Sequence, residues 1–215
     1  MPMKTNEREY RDFKLAPIEV RTEDNEEKKM IVRGYASTFN EPYLLYSDDK
    51  YEIWEQIDAK AFDEADMSDV ILQYDHEGRV FARISNGTLK IDTDETGLAI
   101  EADLGGTDIG RSLYQEIEGG YTSKMSFGFT VAEEKWEETK NNETGKTLET
   151  RTITRVKKVY DVSAVSLPAN DGTSISVRNL SEGVIEQVKA ERLKALELKR
   201  KQTLTRMRTM KLGGN

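Results

Sequence analysis

The sequence predicts a mainly β fold with flanking helices (α+β): an antiparallel, partly closed sheet followed by a basic helical tail. Three observations predict it. Alternating apolar and polar runs recur from Met30 to Leu167, separated by turn-forming residues. Only one long stretch, residues 107–120, carries a clean helical period. From Ser181 onward the pattern turns helical and basic, with a ragged apolar stripe of Val184, Ile185, Val188, Leu193 and Leu196.

Taken in order, residues 1–27 are charged, with acids clustered in "TEDNEEKK", and are expected to form a loose arm. "MIVRGYASTF" (30–39) alternates as a strand, and "NEPYLLYSDDK" (40–50) reads as a loop around Pro42. "YEIWEQI" (51–57) is a second strand, and "DAKAFDEAD" (58–66) offers Asp58 as the cap of a short helix. "DVILQYDHE" (69–77) is a strong strand. "GTLKIDTDETGLAIEADL" (87–104) is a hairpin whose turn is "TDETG". In "TDIGRSLYQEIEGG" (107–120) Thr107 caps a helix, Ile109, Leu113 and Ile117 recur at four-residue spacing, and Gly119-Gly120 stop it. "KMSFGFTVAEEKWEE" and "ETRTITRVKKVYDVSAVSL" then make a long hairpin around "TKNNETGKT", ended by Pro168.

Charge divides the chain. Residues 189–215 hold nine basic and two acidic side chains, a net +7, which leaves −15 on residues 1–188 of the chain's overall −8. An acidic body disfavours nucleic acid as a partner. The absence of cysteine excludes disulfides, thiolate metal sites and a cysteine nucleophile. No run is long and apolar enough to span a bilayer and no apolar signal core opens the chain, so a cytosolic setting without membrane partners is expected. One histidine among scattered acids offers no metal-ligand spacing, so neither a metal nor a cofactor is expected.

That single histidine, His76, closes an apolar strand face shared by Val70, Leu72 and Tyr74. A partly buried histidine bonded to backbone is the plain reading. A general base is the sharper one, because the ordinary imidazole pKa lies near neutrality. A base needs a nucleophile, and Ser126 in "SKMSFGF" stands out. Met125, Phe127 and Phe129 fill one face of that strand, while Ser126, Gly128 and Thr130 leave the other without bulk. A core strand with a solvent-facing second side fits the same pattern. Asp161, an acid inside the apolar run "VYDVSAVSL", is the candidate to orient the imidazole, since a buried carboxylate needs a partner. A strand-end carboxylate reaching water is its alternative. Lys124 and Arg155 lie close in chain order but read as solvated strand residues.

The ordered series "GYASTFN", "ILQYDHE", "KMSFGF" and "DVSAVSLPAN" resembles the HK97-type phage prohead (capsid maturation) serine proteases, which are related to the herpesvirus assemblins. The resemblance covers roughly residues 28–178. It implies a compact antiparallel β-barrel surrounded by helices, with His76, Ser126 and Asp161 as catalytic residues. The assemblins use a second histidine where this chain has Asp161. On this reading residues 28–180 are the protease domain, 1–27 a charged arm and 181–215 a basic helical or disordered tail. The implied function is a serine endopeptidase that cleaves scaffold protein segments, capsid protein segments or both inside the procapsid, in the host cytoplasm, with self-cleavage. Phage scaffold and major capsid proteins are the expected substrates, the basic tail is a candidate for binding either, and self-association is a further candidate. The rival from another class is a non-catalytic scaffold or assembly protein, which needs no meeting of the three residues.

Overall fold

A computed structural model describes residues 8–13, 19–23 and 29–166, together with Ala190 and Lys194. The chain divides into two compact units, Met1–Val177 and Arg178–Asn215. All the strands and the helix below belong to the first. The expected helical tail lies outside the described residues, Ala190 and Lys194 apart.

Strands β1 (Glu9–Phe13) and β2 (Glu19–Glu23) come from the charged arm. They are followed by β3 (Lys29–Thr38), β4 (Tyr43–Ser47), β5 (Tyr51–Ile57), β6 (Ile71–Tyr74), β7 (Glu77–Arg83), β8 (Leu89–Thr93) and β9 (Gly97–Asp103). Helix α1 (Asp108–Glu118) separates these from the long pair β10 (Lys124–Lys140) and β11 (Thr147–Val165). One sheet has seven strands along the path β1-β10-β11-β5-β4, with β6 and β7 branching from β11; the other is the four-stranded β2-β3-β9-β8.

The architecture corrects the expected closed antiparallel barrel. The pairings trace two open sheets, and the larger is mixed. Its spine is β11, which runs parallel to β5 over residues 147–153 and parallel to β6 over residues 161–164. One strand of 19 residues is long enough to serve two partners in succession. The run 40–50, expected as a loop, contains β4: Pro42 stands just before it, so the ladder loses no donor. The helix expected over 58–66 is a series of turns in which Asp58 accepts from the Lys60 and Ala61 amides. The hairpin of β8 and β9 and the hairpin of β10 and β11 form as the alternation predicts.

Helix α1 follows its sequence signals. Thr107 Oγ1 accepts from the Gly110 amide at 3.1 Å, and Gly120, with φ 74°, ends the helix in the left-handed region. Gly110, Leu113, Tyr114 and Ile117 face inward. A side chain at Gly110 would strike the Leu104 carbonyl, so the helix can approach the second sheet only with glycine there.

Both sheets and α1 contribute to one core, in which Leu72, Leu98, Phe127, Phe129 and Val162 are buried. Phe127 and Phe129 stack at 4.3 Å, and Phe62 meets Phe127 edge-on at 5.8 Å. Each such ring contributes about 1.5–3 kcal/mol by burial. Anchored on one side in this way, β10 presents its other side as a fixed platform.

Candidate active site

That platform carries Ser126, Gly128 and Thr130, all of them buried. Opposite residues on neighbouring strands share a face, so the register Ser126↔Ser163 and Gly128↔Asp161 aligns Asp161 and Ser163 with the serine. The histidine arrives from β6. Its parallel pairing with β11 ends at Ala164↔Tyr74, and the chain then reverses through Asp75 and His76 into β7.

Here the structure corrects the expected strand over 69–77. His76 is in a two-residue turn, and both turn residues have positive φ, 48° for Asp75 and 58° for His76. Such turns match the twist of a hairpin, but a left-handed histidine costs about 1–3 kcal/mol. The turn is held by specific contacts. Asp75 donates its amide to the Ala164 carbonyl at 3.0 Å, while its carboxylate accepts from the Ser166 amide at 2.9 Å and hydroxyl at 2.8 Å. The His76 amide donates to Ser163 Oγ at 3.3 Å.

The result brings together all three residues that the sequence singled out. His76 Nε2 lies 2.5 Å from Ser126 Oγ, and His76 Nδ1 lies 2.5 Å from Asp161 Oδ1. Asp161 accepts hydrogen bonds only, so Nδ1 carries the proton and Nε2 is left as the acceptor, the tautomer a general base requires. Asp161 is fully buried, and its charge is met by His76, by Ser163 Oγ at 2.9 Å and by the Arg8 guanidinium. A buried carboxylate is tolerated only with such partners. Gly128 makes room for it: a Cβ there would collide with Asp161 Oδ2 and meet the Tyr10 ring at 2.8 Å.

Ser163 is a site residue that the sequence reading missed. Its spacing of two from Asp161 puts both on one strand face, which was the available signal. Strand β1 was missed as well. It pairs with β10 directly over the site, Asp12 opposite Ser126 and Tyr10 opposite Gly128, and the Tyr10 ring lies 4.3 Å from that of His76.

On the other face of β1 lies a buried charge cluster. Arg11 makes a two-pronged pair with Glu55, and also donates to Glu9 at 2.5 Å. Arg151 donates to Glu9 at 2.6 Å, to Glu55 at 2.6 Å and to Glu134 at 2.7 Å. Burial pushes the Glu55 carboxyl up, but the Arg11 and Arg151 guanidiniums override it and hold the group at about 2. The alternation of β5 points Glu55 inward with Ile53 and Ile57, a signal visible in the sequence. By contrast, Arg155 is engaged at the surface with Glu133 and Glu64.

Among the described residues no group of three or more His, Cys, Asp or Glu side chains is arranged to hold a metal ion. No helix among them is long and apolar enough to cross a membrane.

Comparison with known proteins adds a family. The sequence profile described as caudovirus prohead serine protease matches residues 16–190. No curated protein matches the chain. Among solved structures, that described as the bacteriophage T4 capsid assembly protease, gp21, is similar with a TM-score of 0.42 and 11% identity, over 75% of this chain and 98% of that one.

Proposed function

The chain belongs to the caudovirus prohead serine protease family, and on that premise we propose that it is an endopeptidase whose Ser126, His76 and Asp161 cleave scaffold and capsid protein segments during head maturation. The observation that carries the proposal is the continuous hydrogen-bonded series from Ser126 Oγ through both imidazole nitrogens to Asp161, each link 2.5 Å.

The chemistry is acyl transfer. Ser126 Oγ attacks the scissile carbonyl while its proton passes to His76 Nε2. Asp161 keeps Nδ1–H in place and stabilises the imidazolium that forms. The same proton then goes to the leaving amine, which departs and leaves an acyl ester on Ser126. Water enters, gives a proton to Nε2 and attacks the ester; the bond to Oγ breaks, Nε2 returns the proton to Ser126, and the new carboxyl end of the peptide leaves. Ser163 supports the series from the side: its hydroxyl donates to Asp161 Oδ1 and its oxygen accepts from the His76 amide.

The same proposal gives the protein its setting. Residues 28–180 form the protease domain, working inside the procapsid in the host cell, and residues 181–215 are a basic segment that binds scaffold or capsid protein. Cleavage within the chain's own arms belongs to it too.

The test is co-expression with the phage's scaffold and major capsid proteins, wild type beside His76→Ala and Ser126→Ala. Shortened scaffold or capsid products are expected with wild type alone. The same products from all three chains would overturn the assignment.

A further inference from the structure

Strand β1 lies outside residues 16–190, the stretch matched by the family profile. Its position in the larger sheet is specific. One edge of β10 is taken by β11, and β1 takes the other, running antiparallel from Glu9↔Phe129 to Phe13↔Met125. An exposed strand edge beside a nucleophile is where an extended peptide gains main-chain hydrogen bonds in register. Strand β1 occupies that edge.

It also engages every member of the site. Arg8, the residue before the strand, pairs with Asp161, the Tyr10 ring lies against His76, and the Arg11 carbonyl accepts from Ser126 Oγ at 2.8 Å. Ser126 is 0% exposed. Its hydroxyl has a single proton, so the Arg11 carbonyl competes with His76 Nε2 for it. That carbonyl presents its oxygen lone pair to Ser126, whereas acylation requires its carbon. The strand is thus bound across the nucleophile in an unreactive pose.

The opposite face of β1 supplies recognition. Arg11 is bound by Glu55, and Glu9, two residues earlier, is bound by Arg151 through both of its oxygens, at 2.6 and 2.9 Å. Both receiving residues belong to the domain and are almost wholly buried. A two-pronged pair of this kind is selective for geometry as well as charge.

We infer that the edge of β10 opposite β11 is the peptide seat of the site, that β1 is its intramolecular occupant and holds the site closed, and that Glu55 and Arg151 select an extended peptide with an acidic and a basic residue two positions apart. The inference rests on the serine protease reading given above. Opening the enzyme then means peeling β1 from β10, and a substrate strand with the same charge pattern takes its place.

The experiment follows covalent labelling of Ser126 by a fluorophosphonate, read by intact mass, on the full chain. Wild type is compared with Arg11→Glu, which faces Glu55 with a like charge, with Tyr10→Ala, and with Ser126→Ala as the blank. Both β1 variants are expected to label at least about tenfold faster than wild type, Arg11→Glu through loss of its charged hydrogen bonds and Tyr10→Ala through loss of the ring's packing on His76. Acetylated and amidated peptide of residues 8–13, added to the Arg11→Glu chain, is expected to slow labelling again, and the same peptide carrying Arg11→Glu is not. Equal labelling of wild type and both variants overturns the inference and leaves the protease reading standing. No labelling of Ser126 in any chain overturns the protease reading itself. Should both variants misfold, hydrogen exchange on wild type decides: labelling is expected to strip protection from the amides of residues 9–13 while β10 and β11 keep theirs, and retained protection in β1 overturns the inference.

Discussion

Gly128 stands directly opposite Asp161 on the ladder between β10 and β11, and the Asp161 carboxylate occupies the space that any side chain at position 128 would need. Strand β10 and the Asp161 carboxylate are therefore fitted to each other. Gly128→Ala is expected to displace Asp161 from His76, lowering kcat by about 100-fold or more, because small misplacements in such a site are that costly. Overpacking should also cost about 1–3 kcal/mol of stability. Steady-state kinetics beside thermal unfolding separates the two, and an alanine variant with wild-type kcat would show that the fit is unimportant.

Asp161→Asn tests the tautomer. The amide can donate to Nδ1, which then gives up its proton and leaves Nε2 protonated, unable to accept from Ser126. A fall in kcat of about 10⁴-fold is expected with KM little changed. A loss below about tenfold would remove Asp161 from the series.

Ser163→Ala asks for less. The variant loses one hydrogen bond to a charged group and one to the His76 amide. We expect a loss of about 1.5–3 kcal/mol in stability and a drop in kcat of about tenfold, with Ser163→Thr recovering most of it. Unchanged kcat with lowered Tm would make the residue structural alone.

Stability should depend on Glu55 in acid. Its folded pKa, about 2, lies below the unfolded value near 4.5, so the folded state binds fewer protons in between. The contribution is complete above about pH 4.5 and is lost as pH falls toward 2. Urea unfolding at pH 7, 4 and 3 should show wild type losing about 2–3 kcal/mol over this range, with Glu9, also held low by Arg11 and Arg151 against burial, adding to the slope. Glu55→Gln should be less stable at pH 7 by about 3–5 kcal/mol, since it leaves buried guanidinium charge unmatched, and its acid slope should be shallower. Parallel slopes in the two proteins would assign the acid loss to other groups.

The basic tail is tested by charge. Lys199→Glu, Arg200→Glu and Lys201→Glu combined are expected to reduce packaging into proheads several-fold, with the difference from wild type narrowing as salt is raised, while peptide cleavage by the purified chain stays constant. Equal losses of packaging and cleavage would instead indicate a folding role.

How much of this the sequence revealed follows from how local each signal is. The α1 cap, the stop at Gly119-Gly120 and both long hairpins are encoded within a few residues and were legible. His76, Ser126 and Asp161 were legible as chemical types, because a lone histidine, a serine on a face without bulk and an acid in an apolar strand are each out of keeping with their neighbours. The turn that carries His76 was not, since Asp-His lacks the Asn-Gly pattern that marks such reversals. The parallel pairing of β11 with β5 and β6 was not legible either, as nothing in one strand specifies a partner some 90 residues away. Charged residues 8–13 looked like a solvated arm because their partners, Glu55, Arg151 and Asp161, come from distant parts of the chain.

Strand β11 has a consequence for timing. It is the last-made strand of the site, it carries the acid, and β5 and β6 both wait for it as a neighbour. A nascent chain on the ribosome therefore exposes Ser126 and His76 well before anything can align them. The three side chains can meet only once residue 166 has emerged, and even then residues 9–13 lie across the serine.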